Sequence, residues 1–107
     1  MSEHIIPEWS PKEVNTKLKQ GEKFVILDVR EDEEWEEDGH IAEAKHIPLG
    51  QLPERHGELD RNQNIVVVCR SGGRSARACE YLASLQYKVI NMPGGMSHWD
   101  GEVVFGK

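Results

Sequence analysis

The run Ile65-Val66-Val67-Val68-Cys69 constrains this chain more than any other segment. It is β-branched up to its last residue and has no polar alternation, which is the pattern of a strand covered on both faces. Arg70-Ser71-Gly72-Gly73-Arg74 follows, and then a stretch from Ser75 to Gln86 with Ala78, Cys79, Leu82 and Leu85 on one helical face. A buried strand, a glycine turn and an amphipathic helix together make half of a parallel β-α-β unit.

The rest of the chain repeats the alternation. His4-Ile5-Ile6 reads as a short first strand. Ser10-Pro11-Lys12-Glu13 gives a helix start, with Ser as N-cap and Pro at the first helical position, and that helix runs to about Gln20 with Gly21 as its stop. Phe24 to Val29 is a second nearly continuous apolar strand. Glu31 to Glu37 reads as a short acidic helix around Trp35, His46-Ile47 as a short strand, Leu49 to His56 as a small helix, and Val89-Ile90 as a last strand. Gly94-Gly95 then breaks the chain before a turn that carries Met96 and Trp99. Strands alternating with helices predict an α/β fold with a mostly parallel central sheet. No repeat or linker divides the 107 residues, so residues 1–107 are expected to form a single domain.

The loop after Cys69 is the candidate site. In open α/β sheets ligands bind beyond the carboxyl ends of the strands, and Cys69 stands at such an end. Glycines let the backbone curl until successive N–H groups converge, and the following helix adds its positive end. A thiol so placed, with Arg70 and Arg74 nearby, ionises below its ordinary pKa and becomes a nucleophile. The same cradle suits a persulfide anion or a tetrahedral oxyanion. The plainer reading is a small buried cysteine at an unremarkable strand–helix junction; the loop by itself leaves both open.

Composition narrows the partners. The net charge of −6 leaves no basic footprint for nucleic acid or an anionic membrane surface. Every residue from Glu31 to Asp38 except Trp35 is acidic, whereas three arginines and no acid lie between Arg70 and Arg77. A positive locus on an acidic chain points to a small anionic ligand. The acidic run itself reads as a solvated helix face, with a basic protein partner as the alternative. The two cysteines form no Cys-x-x-Cys pair, and the five histidines show no ligand spacing, so neither metal nor cofactor is expected. The first residues, Met1-Ser2-Glu3-His4, lack the basic start and apolar stretch of a signal peptide, and no run is long enough to span a bilayer. The expected location is cytoplasmic.

At this point the motifs taken together resemble a single-domain rhodanese-like sulfurtransferase. The matching pieces are Leu27-Asp28-Val29-Arg30-Glu31, Glu34-Trp35, Gly39-His40-Ile41 with Ala44, His46-Ile47-Pro48-Leu49, Val66 to Ser75, and Gly94-Gly95-Met96 with Trp99. The resemblance implies a five-stranded, mostly parallel sheet with helices on both faces. It implies that Cys69 is the sulfur-accepting nucleophile, and that the backbone from Arg70 through Ser71, Gly72, Gly73 and Arg74 to Ser75 forms the substrate cradle. Arg70 and Arg74 match positions that meet the anionic part of the donor. Asp28, Arg30 and Gly39-His40-Ile41 match framework positions. The reaction implied is a two-step transfer: the thiolate takes the outer sulfur of thiosulfate or a similar donor, and the persulfide passes it to a thiol, a protein or cyanide.

Two competing readings are kept. Cysteine phosphatases and arsenate reductases use a related loop with five residues between Cys and Arg; here there are four. A non-enzymatic persulfide carrier or regulatory module would share the fold. Cys79 reads as a core thiol, with a resolving thiol for Cys69 as the alternative. Ser75 reads as a helix N-cap, His98 as a surface residue, and Trp35 and Trp99 as core or pocket rim. Arg77 faces either the site or solvent.

Overall fold

The computed structural model describes residues 5–107. Four helices and four strands alternate along it: α1 (Pro11–Lys19), β1 (Val25–Asp28), α2 (Asp32–Glu37), β2 (Lys45–His46), α3 (Leu52–Arg55), β3 (Asn64–Val68), α4 (Gly73–Ser84) and β4 (Lys88–Asn91). Short 3₁₀ turns at Leu49–Gln51, His56–Glu58 and Gly95–His98 complete the chain. All neighbouring strands pair in parallel, in the order β2-β1-β3-β4.

The sheet is buried on both faces, as the β-branched run requires. Ile65, Val67 and Cys69 point to one side and pack with Leu52, Cys79 and Leu82 under α3 and α4. Val66 and Val68 point to the other and pack with Val14 of α1, Ile26, Ile41 and Met92. Asp28 pairs with Val68 and with His46, and Val67 pairs with Asn91. The carboxyl ends of all four strands therefore stop at one level, and Cys69 emerges among them.

Three expectations are corrected. Among the described residues the sheet has four strands and a single-residue bridge, where five strands are expected. Of the segment expected as a first strand, His4 lies outside the described residues and Ile5-Ile6 is not in a strand; Glu8 instead makes a single parallel bridge to Asn91, with Asn91 N–H on the Pro7 carbonyl (2.9 Å) and Trp9 N–H on the Asn91 carbonyl (3.1 Å). Two residues further back along this ladder, the N–H would have to come from Pro7, which has none. The Leu49–His56 segment is a 3₁₀ turn, one α-turn and another 3₁₀ turn, not a continuous helix. Pro53 has no N–H to return to the Leu49 carbonyl, so a helix from Leu49 cannot continue through it, and Pro53 stands instead in the first turn of α3. Finally, α4 starts at Gly73, with Gly72 rather than Ser75 as N-cap. Gly72 has φ +108, a backbone state that favours glycine, and this lets the helix begin two residues earlier and places Ser75 inside its first turn. The helix also ends sooner, at Ser84, because Gln86 adopts φ +75.

Candidate active site around Cys69

Cys69 follows directly from β3 and is only 1% exposed. The turn at Gly72 brings the start of α4 back onto its sulfur. Gly72 N–H donates to Cys69 Sγ at 3.0 Å and Ser75 N–H at 3.3 Å, and Ser75 Oγ lies 3.4 Å from the sulfur. Of the amides expected in the cradle, those of Gly72 and Ser75 bond the sulfur, while those of Arg70, Gly73 and Arg74 make no such bond. Burial pushes the Cys69 thiol up, but the Ser75 hydroxyl and the N–H groups of Ser75, Gly72 and Ser71 outweigh it, and the net shift is downward.

Ser75 is fully buried and, instead of capping the helix, turns its side chain to the sulfur and to β4. Its hydroxyl donates to Asn91 Oδ1 at 2.6 Å, with the Gly72 carbonyl 3.1 Å away. Asn91 ends β4 beside β3, so the sheet itself orients the hydroxyl that faces the sulfur. Sequence reasoning missed Asn91. The available signal was topological, since polar residues at the carboxyl ends of adjacent strands converge.

The two arginines part company. Arg70 is exposed, and among the described residues its guanidinium makes no ion pair or hydrogen bond. Arg74 is turned away to α2, where Nη1 donates to Glu34 Oε1 at 2.7 Å and Nη2 to Glu34 Oε2 at 2.8 Å. The hydrogen bond from Arg74 holds the Glu34 carboxyl down at about 2 against the opposing effect of burial. Glu34 also accepts from Glu31 N–H at 3.0 Å, closing a capping box on α2. The acidic run is thus not wholly a solvated face: one of its carboxylates ties α2 to the loop. No local spacing relates residues 34 and 74, so the sequence held no direct signal for this pair.

The Gly94-Gly95 segment clamps the other side of the loop. Met96 N–H donates to the Cys69 carbonyl at 2.8 Å and Ser97 N–H to the Arg70 carbonyl at 2.9 Å. Gly95 has φ +57, and a Cβ there would overlap the Cys69 carbonyl oxygen. His98 is exposed, with Nδ1 3.2 Å from the Gly94 carbonyl, which agrees with the surface reading.

The framework residues lie below. Arg30 and Asp28 form a buried bidentate pair, and Arg30 Nη2 donates to both Asp28 Oδ2 and the Gly39 carbonyl at 2.8 Å. Trp35 is stacked between His40, at 3.5 Å between ring centres, and His46, at 4.6 Å. Cys79 is fully buried in the core under α4, and burial pushes its thiol up to about 12. Arg77 is exposed.

The site is a cradle rather than a cleft. Two surface hollows, of about 420 Å³ beside Trp99 and Ile41 and about 470 Å³ beside Trp9 and Val89, contain no residue of the loop. Among the described residues no three His, Cys, Asp or Glu side chains gather as a metal site, and no helix is long and apolar enough to cross a membrane.

A parallel α/β sheet with a strand-end cysteine in an amide cradle defines a class of small thiolate-bearing domains. Within it, residues 10–102 match the rhodanese-like domain family, and the chain belongs to that family. It is 42% identical over 97 residues to YtwF of Bacillus subtilis, provisionally named a sulfurtransferase, covering 91% of this chain and 93% of that one. It is 31% identical to a sulfurtransferase of Allochromatium vinosum, covering 89% of each. Among solved structures, a rhodanese-like domain protein from Staphylococcus aureus superposes with a TM-score of 0.88 at 32% identity, over 95% of this chain and all of that one.

Proposed function

We propose that the protein is a sulfurtransferase that moves sulfane sulfur from thiosulfate or a similar donor to a thiophilic acceptor through a Cys69 persulfide. The observation that carries this reading is the sulfur's own environment: N–H groups of Gly72 and Ser75 aimed at Sγ, and a thiol pKa lowered despite burial. The sulfurtransferase relatives support it.

The Cys69 thiolate attacks the outer sulfur of thiosulfate. The Sγ–S bond forms as the S–S bond of the donor breaks, and sulfite leaves with the electron pair. The charge moves one atom outward, onto the terminal sulfur of the persulfide, where the cradle of residues Arg70 to Ser75 and the start of α4 stabilise it. An acceptor thiolate, a protein thiol or cyanide then takes that terminal sulfur and restores the Cys69 thiolate. This is covalent catalysis in two displacement steps, without a change in net oxidation and without a metal or organic cofactor. Since Cys69 is 1% exposed, a slender donor that presents a terminal sulfur end-on fits better than one attacked at its centre. Arg74, engaged by Glu34, is not free to clasp a phosphate, which further disfavours phosphatase chemistry.

The test is a thiosulfate:cyanide assay on the wild type and Cys69→Ser, with mass spectrometry of the thiosulfate-treated protein. Thiocyanate formation lost in the variant, and one added sulfur atom on wild-type Cys69, are expected. Equal activity in both proteins would reject the proposal.

A further inference from the structure

The family match leaves open what sets the charge of the donor. Two arginines, Arg70 and Arg74, follow Cys69 in the loop, and a doubly charged donor such as thiosulfate would be best met by both. The fold prevents that. Arg74 spends both terminal nitrogens on the two oxygens of Glu34, at 2.7 and 2.8 Å, in a half-buried pair. Glu34 is itself fixed by the Glu31 amide, so the carboxylate cannot swing away without opening the capping box of α2. The pair is electrically neutral, the Arg74 guanidinium remains within electrostatic reach of the Cys69 sulfur, and the first turn of α2 carries two further acids, Asp32 and Glu33. Arg70, exposed and unpaired among the described residues, is left as the loop's free cation.

We infer that Glu34 is a specificity-determining residue: by neutralising Arg74 it biases the Cys69 loop toward singly charged sulfur donors over doubly charged ones. The inference rests on the sulfur-transfer reading above and deepens it. Glu34 touches neither donor nor sulfur; it acts through Arg74. A unit charge added within several ångströms of an anion in a partly solvated site changes its binding by about three- to tenfold, which is the size of effect at stake.

Thiosulfate and methanethiosulfonate make the comparison clean. They present the same terminal sulfur on a tetrahedral sulfur centre and differ by one negative charge. Cys69 takes the terminal sulfur from either, and sulfite leaves from the first and methanesulfinate from the second. The experiment measures kcat/KM for both donors with cyanide as acceptor, in the wild type, Glu34→Gln, Glu34→Asp and the double variant Glu34→Gln/Arg74→Gln. Glu34→Gln leaves Arg74 uncompensated and should shift the donor ratio toward thiosulfate by about three- to tenfold, mainly through a lower thiosulfate KM. Glu34→Asp keeps the charge and should keep the wild-type ratio even if the shorter side chain lowers both activities together. The double variant exchanges one neutral pair for another, and its ratio should return to that of the wild type. A purely structural Glu34 would lower both activities and leave the ratio unmoved in Glu34→Gln, overturning the inference. So would a double variant that discriminates against thiosulfate more than the wild type does, because Arg74 would then be binding the donor directly. If wild-type Cys69 gains no sulfur from either donor by mass spectrometry, the underlying transfer reading fails first, and visibly so.

Discussion

Two residues in equivalent places show how much one side chain decides. Helices α1 and α4 both close with the same pair of bonds: Gly21 N–H to the Leu18 carbonyl and Glu22 N–H to Lys17 at the first, Gln86 N–H to Ala83 and Tyr87 N–H to Leu82 at the second. The turning residue has φ +74 in one and φ +75 in the other. Glycine fills the first, so the stop at Gly21 was readable; glutamine fills the second, so the sequence predicts a helix that includes it and ends there, two residues later than the observed end at Ser84. Gln86→Gly should stabilise the protein by about 0.5–1 kcal/mol, the relief of a left-handed non-glycine residue less the entropy glycine adds to the unfolded chain. Urea unfolding of the two proteins checks this. Ser75 is the opposite case, a residue whose place in the sequence was plain and whose work was not. Ser75→Ala removes the hydroxyl that faces Sγ and leaves buried Asn91 Oδ1 without its donor. It should destabilise the fold by about 1–3 kcal/mol. It should also raise the Cys69 pKa, because the hydroxyl that accepts from the Sγ–H thiol and, once the thiol ionises, turns its one proton from Asn91 Oδ1 to the sulfur is lost while burial remains. The pH profile of iodoacetamide alkylation at Cys69 would then move to higher pH, and an unmoved profile would show that the amides alone set the thiolate.

At the scale of elements, the apolar runs of β1 and β3 and the Ser10 cap of α1 were legible because each is determined by residues next to one another. The Ser10 hydroxyl accepts from Glu13 N–H at 3.1 Å, as the spacing anticipates. The fifth strand and the helix across Pro53 were misread because the decisive fact was a missing N–H, which matters only once the partner strand or turn is in place. The Gly94-Gly95 clamp lies between these cases. Its glycines signalled a break, but nothing local showed that the break packs on the backbone of the Cys69 loop. Gly95→Ala forces a Cβ onto the Cys69 carbonyl at a backbone angle that L-residues adopt with difficulty. The loop and the clamp must separate, losing the bonds from Met96 and Ser97. A loss of more than about 2 kcal/mol is expected, together with weaker protection of the Met96 and Ser97 amides in hydrogen exchange. Gly73→Ala is the matched control, since a Cβ at Gly73 meets nothing within 4 Å, and it should leave those amides protected.

At the scale of the whole molecule, the site is held by groups that the chain brings from far apart. Glu34 and Arg74 lie 40 positions from one another, and Ser75 and Asn91 lie 16 apart. Such pairs are invisible to local pattern because they depend on strand order, and here the order β2-β1-β3-β4 carries α2 to one side of the Cys69 loop and β4 to the other. The same architecture makes acid stability a test of the Glu34 tie. The Glu34 carboxyl sits at about 2 in the folded protein and near about 4.3 in an unfolded chain. A carboxyl lowered on folding contributes stability above its unfolded pKa and loses it as pH falls toward the folded value, since the unfolded chain then binds the proton first. Unfolding free energy from urea titrations should therefore fall between about pH 5 and pH 2 in the wild type, and Glu34→Gln should fall less steeply over that interval. Glu58, also lowered to about 2 by Arg55 and Lys45, titrates in the same range in both proteins and cancels in the comparison. Parallel curves for wild type and variant would show that the carboxylate is no better placed in the folded chain than in the unfolded one, and the bidentate pair with Arg74 would lose its role as the strut between α2 and the loop.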